Sequence, residues 1–127
     1  MKKILLTAVL ITFLHISGVS QTLNKETLSK KWYLEKYKVM WVDYEPEEKE
    51  KNDYILLKND MTYVSVDEGI KTSGKWTFND KKNYFTMFND KRDGIKIIVD
   101  KLSLNKMVLN IDAKEMKGVD IQYTTKK

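Results

Sequence analysis

The feature that most constrains this fold is an alternation of apolar and polar residues that recurs in short segments. Residues 119–124 show it most clearly, with apolar or aromatic side chains at every second position. Successive side chains of a β-strand point to opposite faces of a sheet, so this period of two predicts strands with one buried face. The chain has no alternating helical pattern, which excludes a parallel α/β sheet.

About eight such segments follow one another at spacings near 8–12 residues. The first contains a change of parity near Glu35 and Lys36, which predicts a β-bulge or a sharp bend. Upstream of it, Asn24 suits the N-cap of one short helical turn. We expect a polar loop at 43–51, which holds the only proline, and strands at 32–41, 53–58, 61–66, 70–78, 84–88, 95–99, 101–104 with a continuation at 107–111, and 119–124.

The connections between these segments are short. Asp93-Gly94 is a hairpin signal, and Asn59-Asp60 is typical of a tight turn. Because every connection after the first is hairpin-sized, we predict an up-and-down meander rather than a Greek-key sandwich. Closing the meander would remove exposed sheet edges. The predicted fold class is therefore all-β: an antiparallel barrel of about eight strands with a short N-terminal helical turn.

The first twenty residues have the three-part layout of a secretory signal. A basic start at 1–3 precedes a mostly apolar run at 4–16, and small residues follow at 18–20. We expect cleavage near Ser20 and Gln21, which leaves one domain at 21–127 in the periplasm or the extracellular medium. No stable membrane anchor would remain after cleavage. The alternative is an uncleaved membrane anchor, although the apolar run is short for a transmembrane helix.

Composition excludes several classes of function. The chain has no cysteine, and its only histidine, His15, falls in the predicted signal. Ser-His-Asp and Cys-His catalysis and the usual zinc sites are therefore not expected. The formal charge falls from +5 to +3 once Lys2 and Lys3 are lost, and no basic stripe suggests nucleic-acid binding. We expect no metal and no cofactor.

Two tryptophan segments carry the strongest motifs. Trp32 follows two lysines in the first strand, and Trp76 lies in Gly74-Lys75-Trp76; both side chains are expected to be core anchors, because large aromatics dominate small cores. With the turn at 57–63, which looks like an "Asn-Asp-Gly-Thr-Tyr" hairpin, and Leu102-Ser103, this layout resembles the small bacterial lipocalin-like domains. The segment at 74–76 looks like their "Gly-Thr-Trp". The departures are Lys30-Lys31 in place of a glycine, Met61 in place of the turn glycine, and no C-terminal arginine to stack on Trp32.

The resemblance implies a cup that is closed at one end by the N-terminal turn and open at the other under the first loop. Aromatic walls with a few hydroxyls are the usual lining of a small-molecule site. The alternative is a filled barrel, because eight strands leave room only for side chains or one small ligand. The glutamates at 45–50 are expected to form a solvated lid loop. The candidate ligand-binding residues are Tyr37, Val39, Trp41, Tyr54, Tyr63 and Tyr84.

The function we expect is non-catalytic binding of a small apolar or amphipathic molecule in the cup. A secreted protein-interaction or structural module with a filled barrel is the first alternative, and an exposed aromatic patch would favour it. A cofactor-free enzyme is the second alternative, since two carboxyls across a cleft could do acid–base work. Glu35, near the expected bulge, is the one carboxylate to check for such a role.

Overall fold

The computed structural model of the protein describes residues 21–127, so the predicted signal at 1–20 lies outside the described residues. The described part is almost entirely β. One helical turn, α1, spans Lys25–Leu28, and 3-10 turns span Glu48–Glu50 and Lys114–Met116. The strands are β1 Lys31–Val39, β2 Val42–Tyr44, β3 Tyr54–Leu57, β4 Thr62–Asp67, β5 Ile70–Asn79, β6 Tyr84–Phe88, β7 Gly94–Leu102, β8 Lys106–Ile111 and β9 Val119–Thr124.

All strand pairs are antiparallel, and eight of the nine strands close into a barrel. The sheet order follows the chain from β3 to β9, and β9 pairs back onto β1 from Tyr33–Thr124 to Val39–Val119. The predicted eight-stranded up-and-down barrel is thus confirmed. Because the strands alternate in direction, the β1–β2, β4–β5, β6–β7 and β8–β9 connections lie at one end, which we call the open end. The helix α1 and the β3–β4, β5–β6 and β7–β8 turns lie at the closed end.

The expected bulge in β1 is present. The β1–β9 register shifts between Leu34 and Lys36, where the apolar alternation changes parity. A second shift lies between Val99 and Lys101 in β7. The sequence interpretation divided β7 into two strands at this bulge, because the extra residue interrupts the alternation; residues 101–102 in fact complete β7, and the turn to β8 follows at 103–105.

The first strand ends earlier than predicted. β1 stops at Val39, and a two-residue turn of Met40 and Trp41 leads into β2, which pairs Val42 with Val39. Both turn residues have positive φ angles, 49° and 72°. Positive φ angles at both positions are typical of the tight turn that joins twisted hairpin strands. Asparagine and glycine are the residues that normally occupy such a turn. Trp41 therefore belongs to a turn, and part of the expected first loop is the additional strand β2.

The closed end is filled by α1 and two buried tryptophans. Asn24 caps α1 as expected, accepting the Thr27 N–H at 2.9 Å. Trp32 and Trp76 have no exposed surface, which confirms them as core residues. Each indole N–H also has a backbone acceptor: the Leu28 carbonyl for Trp32 at 2.9 Å and the Lys58 carbonyl for Trp76 at 3.0 Å. The tryptophans thus tie the core to the segments that cover the closed end.

The cation that lies over Trp32 comes from an unexpected position. The Lys30 ammonium is 5.6 Å from the ring centroid, whereas Lys127 lies 5.6 Å from the ring of Tyr33. A neighbouring lysine in the chain therefore supplies the cation near Trp32, where the resemblance implied a C-terminal arginine that this sequence lacks. Lysine offers a charge but no planar group to stack, so this contact is the weaker of the two.

Gly74 is required for close packing of two strands. A Cβ at this position would overlap the Phe88 carbonyl oxygen of β6 and lie 2.9 Å from Tyr63 Cε1. The φ angle of Gly74 is not in the left-handed region, so backbone freedom is not the reason for glycine here. Glycine is needed at this position because it permits the close approach of β6 to β5.

We predict that Gly74→Ala lowers the free energy of unfolding by about 1–3 kcal/mol, because backbone on the neighbouring strand cannot move aside as a flexible side chain could. Ser73→Ala is the matched control, since Ser73 is the exposed neighbour of Gly74 in β5 and should change stability by less than about 0.5 kcal/mol. Urea denaturation of both variants measures the difference. Equal stability of the two variants would contradict the close approach of β5 and β6.

Candidate functional site

The inner face of the barrel reaches the open end as an apolar niche. Tyr37 and Val39 of β1 pair with Ile121 and Val119 of β9, and Ile121 is a core residue, so these side chains share the inner face. Tyr44 of β2 pairs with Tyr37 and continues this face. Together the side chains of Tyr37, Val39, Tyr44 and Val119 line an open niche of about 400 Å³.

The first loop brings a carboxylate to the niche. The Tyr37 hydroxyl donates a hydrogen bond to Glu50 Oε2, and the other oxygen of Glu50 accepts the Glu47 N–H at 3.0 Å. Burial, followed by the hydrogen bond and charge of Glu50, raises the pKa of Tyr37 above its ordinary value. The loop is also held at the open end by an ion pair of 3.4 Å between Lys49 and Glu68 of the β4–β5 turn.

A second carboxylate lies deeper. Asp53 is only 6% exposed, and its Oδ1 accepts the Glu68 N–H at 2.8 Å. Its pKa is raised chiefly by burial and further by the charges of Asp67 and Glu50, although the bond from Glu68 opposes the shift. A buried carboxylate whose pKa rises in this way is destabilising when ionised, and such groups concentrate at functional sites.

The third component is Tyr123 of β9. It pairs with Leu34 and Met107, both core residues, and therefore lies on the inner face. Burial raises the pKa of Tyr123, and the charges of Asp53, Asp67 and Glu50 add to the shift. We call these five neighbouring side chains the acid–tyrosine cluster: Tyr37, Glu50, Asp53, Tyr123 and the exposed Asp67.

The acid–tyrosine cluster contains the carboxyl groups of Glu50, Asp53 and Asp67. Among residues 21–127, no lysine or arginine lies within ion-pair distance of Glu50, Asp53 or Asp67. The same residues contain no group of three carboxylates arranged to hold a metal ion. Chemically, the cluster offers carboxylate oxygens that can accept hydrogen bonds or face an organic cation, beside an apolar wall.

The structure places the six predicted ligand-binding residues in different parts of the barrel. Tyr37 and Val39 lie together in the niche, and Tyr63 faces inward from β4, 5% exposed, against Gly74. Trp41 lies on the exposed β1–β2 turn. Tyr54 and Tyr84 alternate with core residues and so lie on the outer face.

The two outer tyrosines have partners of their own. The Lys31 ammonium is 4.1 Å from the ring centroid of Tyr54, and that of Lys96 is 4.4 Å from the ring of Tyr84. Neither side chain lines the cup, because a side chain one position away from an inward residue points outward. A role for any of the six residues in ligand binding stays a prediction.

Sequence reasoning missed Tyr44, Asp53 and Tyr123. Asp53 has the same parity as the core residues Ile55 and Leu57, which is the signal that could have placed it inside. Tyr123 likewise follows Ile121 at an interval of two. Tyr44 had no comparable signal, because β2 is only three residues long.

Glu35, the carboxylate singled out for checking, lies outside the cup. It is at the β1 bulge, where it pairs with Lys106 at 2.5 Å and accepts a hydrogen bond from Gln122. Burial would raise the pKa of Glu35, but the bonds from Lys106 and Gln122 outweigh it and lower the pKa. Its contacts are those of an ion pair on the barrel wall.

The fold and this geometry agree with a comparison against known families. A family model described as a lipocalin-like domain matches residues 28–109, more than half of the chain. The chain belongs to the lipocalin-like domain family. Comparison of this lipocalin-like domain with curated proteins and with solved structures found no match. No helix in the part of the chain from residue 21 onward is long and apolar enough to cross a membrane.

We predict that Asp53→Asn stabilises the domain at pH 7. The raised pKa means that the folded state holds this proton more tightly than the unfolded state, so ionisation costs stability as the pH rises above the ordinary value of 3.8. The amide can still accept the Glu68 N–H. Thermal unfolding should therefore show a higher melting temperature for the variant at pH 7 and no difference near about pH 3.

Asp60→Asn is a control for which we expect the opposite change in stability. Hydrogen bonds from the Thr62 hydroxyl and N–H lower the pKa of Asp60, so its ionised form stabilises the fold above pH 3.8. This variant should be slightly less stable than the parent at pH 7. If Asp53→Asn is also less stable than the parent at pH 7, the ionised carboxylate of Asp53 does not destabilise the fold.

Proposed function

We propose that this lipocalin-like domain binds a small amphipathic molecule at the open end of its barrel. The observation that supports this best is the position of the acid–tyrosine cluster beside the apolar niche. Glu50 contacts Tyr37, which itself lines the niche, so polar and apolar walls share one side chain. A ligand with one apolar part and one hydrogen-bond donor or cationic group would match both walls.

The energetics of such binding are simple. Burial of the apolar part against Val39, Tyr44 and Val119 contributes about 25 cal/mol for each Å² removed from water. The polar end would donate charge-assisted hydrogen bonds to Glu50 and Asp53, which form no ion pair among the described residues. Orientation therefore comes from the cluster, and most of the affinity comes from the niche.

We propose no catalytic role for the domain. Members of the lipocalin-like family are generally binding proteins, and this chain matches the family over residues 28–109. The carboxylate that approaches Tyr37 is bound through both of its oxygens, Oε2 to the Tyr37 hydroxyl and Oε1 to the Glu47 N–H. These bonds hold Glu50 at the wall of the niche, and the remaining lone pairs of its oxygens can still accept a hydrogen bond from a bound ligand.

Three probes of equal chain length test the proposed ligand class: dodecylamine, dodecanol and dodecanoate. We predict an affinity order of amine, then alcohol, then carboxylate, because the cluster accepts hydrogen bonds and repels a second anion. Glu50→Gln should reduce amine binding by about tenfold and leave the alcohol unchanged, as expected for the loss of one charge-assisted hydrogen bond. Titration followed by native mass spectrometry gives the three affinities.

Glu48→Gln is the matched control, because Glu48 lies in the same 3-10 turn but is exposed and paired with Lys51 at 2.7 Å. It should leave all three affinities unchanged. Tyr44→Ala should weaken all three probes, whereas Tyr84→Ala on the outer face should weaken none. Absence of binding by every probe, or equal effects of Tyr44→Ala and Tyr84→Ala, would contradict a site in the niche.

We also propose that the domain is exported and that residues 1–20 are removed. The basic start, apolar run and small residues near Ser20 support this proposal. Intact-mass analysis of the protein recovered outside the cytoplasm should show a chain that begins near Gln21. A chain that keeps its first twenty residues and stays with the membrane fraction would support the alternative of an uncleaved anchor.

A further inference from the structure

The exposed apolar side chains of this domain are concentrated at one end of the barrel. Among residues 21–127, seven large apolar side chains are more exposed than buried, and six of them lie on open-end turns or the strand ends next to those turns. Leu104, in the β7–β8 turn, is the one at the closed end. We call the six the apolar rim: Met40, Trp41, Val42, Tyr44, Ile70 and Ile95.

The most exposed part of the apolar rim is also the most strained. Met40 and Trp41 are 83% and 92% exposed and both have positive φ angles. Met61, in a closed-end turn, has a φ of 66°. Its side chain, however, packs on the core, and its carbonyl accepts the backbone N–H of Trp76 at 2.9 Å. Packing within the fold offsets the strain at Met61. No packing among the described residues offsets it at Met40 and Trp41.

We propose that the apolar rim docks reversibly on a zwitterionic lipid surface, with Met40 and Trp41 entering the interface between headgroups and acyl chains. Tryptophan and tyrosine are the side chains that favour this interface, because an apolar ring and a polar edge are both accommodated there. The β1–β2 turn supplies two adjacent apolar side chains at its tip, and Val42 and Tyr44 follow on β2. Ile70 and Ile95 lie at the start of β5 and β7, next to two further open-end turns.

The shape of the apolar rim favours a fluid surface over a protein partner. Its members belong to three separate hairpins, whose turns also carry polar residues such as Glu68 and Asp90. A stable protein–protein interface needs a complementary face of about 800 Å² on each partner. Separate tips can each enter a lipid layer, which deforms around them, without forming one continuous face.

The charges at the open end match a zwitterionic layer better than an anionic one. The first loop, held near the β4–β5 turn by the Lys49–Glu68 pair, carries Glu45, Glu47 and Glu48. Beside the β1–β2 turn, the Lys38 ammonium is 3.8 Å from Asp43, so this cation is already paired. In the β6–β7 and β8–β9 turns, four basic residues are balanced by four acidic ones: Lys91, Arg92, Lys114 and Lys117 against Asp90, Asp93, Asp112 and Glu115. The open end therefore carries no excess of positive charge to attract an anionic surface, and insertion of apolar side chains drives docking.

This inference goes beyond the proposed function of the cup. The niche opens at the same end as the apolar rim, and Tyr44 belongs to both. Docking would thus place the cup at the lipid layer into which amphipathic molecules partition. The two proposals can still be tested separately, because Glu50 contributes only to the cup and Met40 and Trp41 contribute only to the rim.

Tryptophan fluorescence can test the docking directly. Trp32 and Trp76 have no exposed surface, so Trp41 is the one tryptophan of the described residues that a lipid can reach. The processed chain, which begins near Gln21, is mixed with phosphatidylcholine vesicles, with and without bromine on the acyl chains, so that the apolar run at 4–16 contributes no lipid binding of its own. We expect a blue shift of the Trp41 emission and quenching by the brominated lipid, and both signals should be absent in Trp41→Phe.

Two charge-introducing variants compare the ends of the barrel. Met40→Lys should lower vesicle partitioning by about tenfold, which corresponds to the loss of one buried apolar side chain. Leu104→Lys introduces the same change at the closed end and should leave partitioning unchanged. Glu50→Gln should also leave it unchanged, even though it weakens amine binding in the cup, so failure of one proposal is distinguishable from failure of the other.

Several results would overturn the lipid proposal. Trp41 emission that is unaffected by vesicles would do so, as would equal losses from Met40→Lys and Leu104→Lys. A blue shift that depends on protein concentration without lipid would instead identify a second copy as the occupant of the rim. Binding that requires phosphatidylglycerol and disappears at high salt would identify electrostatic adsorption in place of insertion.

Discussion

The barrel and its site both depend on how the two edges of β1 pair with other strands. One edge pairs along its length with β9 and closes the sheet. The other edge is divided: its first residues pair with β3, and its last residues pair with β2. Between these two partners the ladder is open around the bulge at Leu34–Lys36, and the first loop enters there. The Leu34 N–H donates to the Asp53 carbonyl at 3.0 Å, and Glu50 reaches Tyr37. The acid–tyrosine cluster therefore occupies the place where β1 changes partners.

Most of the strand order was predictable from the sequence because period-two patterning and hairpin turns are local signals. The β1 bulge was predictable for the same reason, since a parity change in the pattern reports it directly. The strand β2 was not, because three residues are too few to show a period, and Pro46 and several glutamates follow at once. The β1–β2 turn was hidden because neither Met40 nor Trp41 carries the chemistry of a tight turn. The β4–β5 turn, in contrast, has Gly69 at its second position.

The site was only partly predictable. The inward positions of Tyr37, Val39 and Tyr63 follow from parity, and the outward positions of Tyr54 and Tyr84 become clear once the strand registers are known. The acidic character of the cup could not be foreseen, since Asp53 follows a polar loop and resembles a turn residue. Its burial depends on Glu68, fifteen positions away, whose N–H satisfies one carboxylate oxygen. Contacts between distant segments decide such a position, and composition does not report them.

The two ends of the barrel follow different physical rules. At the closed end, large apolar groups are buried and their polar atoms have partners, as the indole N–H groups of Trp32 and Trp76 illustrate. At the open end, burial raises the pKa of Asp53, which forms no ion pair among the described residues. The strained β1–β2 turn exposes Trp41 to solvent. Both features reduce the stability of the isolated domain, and neither is needed to close the sheet. Selection for stability alone would remove them, so their presence at one end supports the proposal that the domain binds its ligand and a lipid surface there.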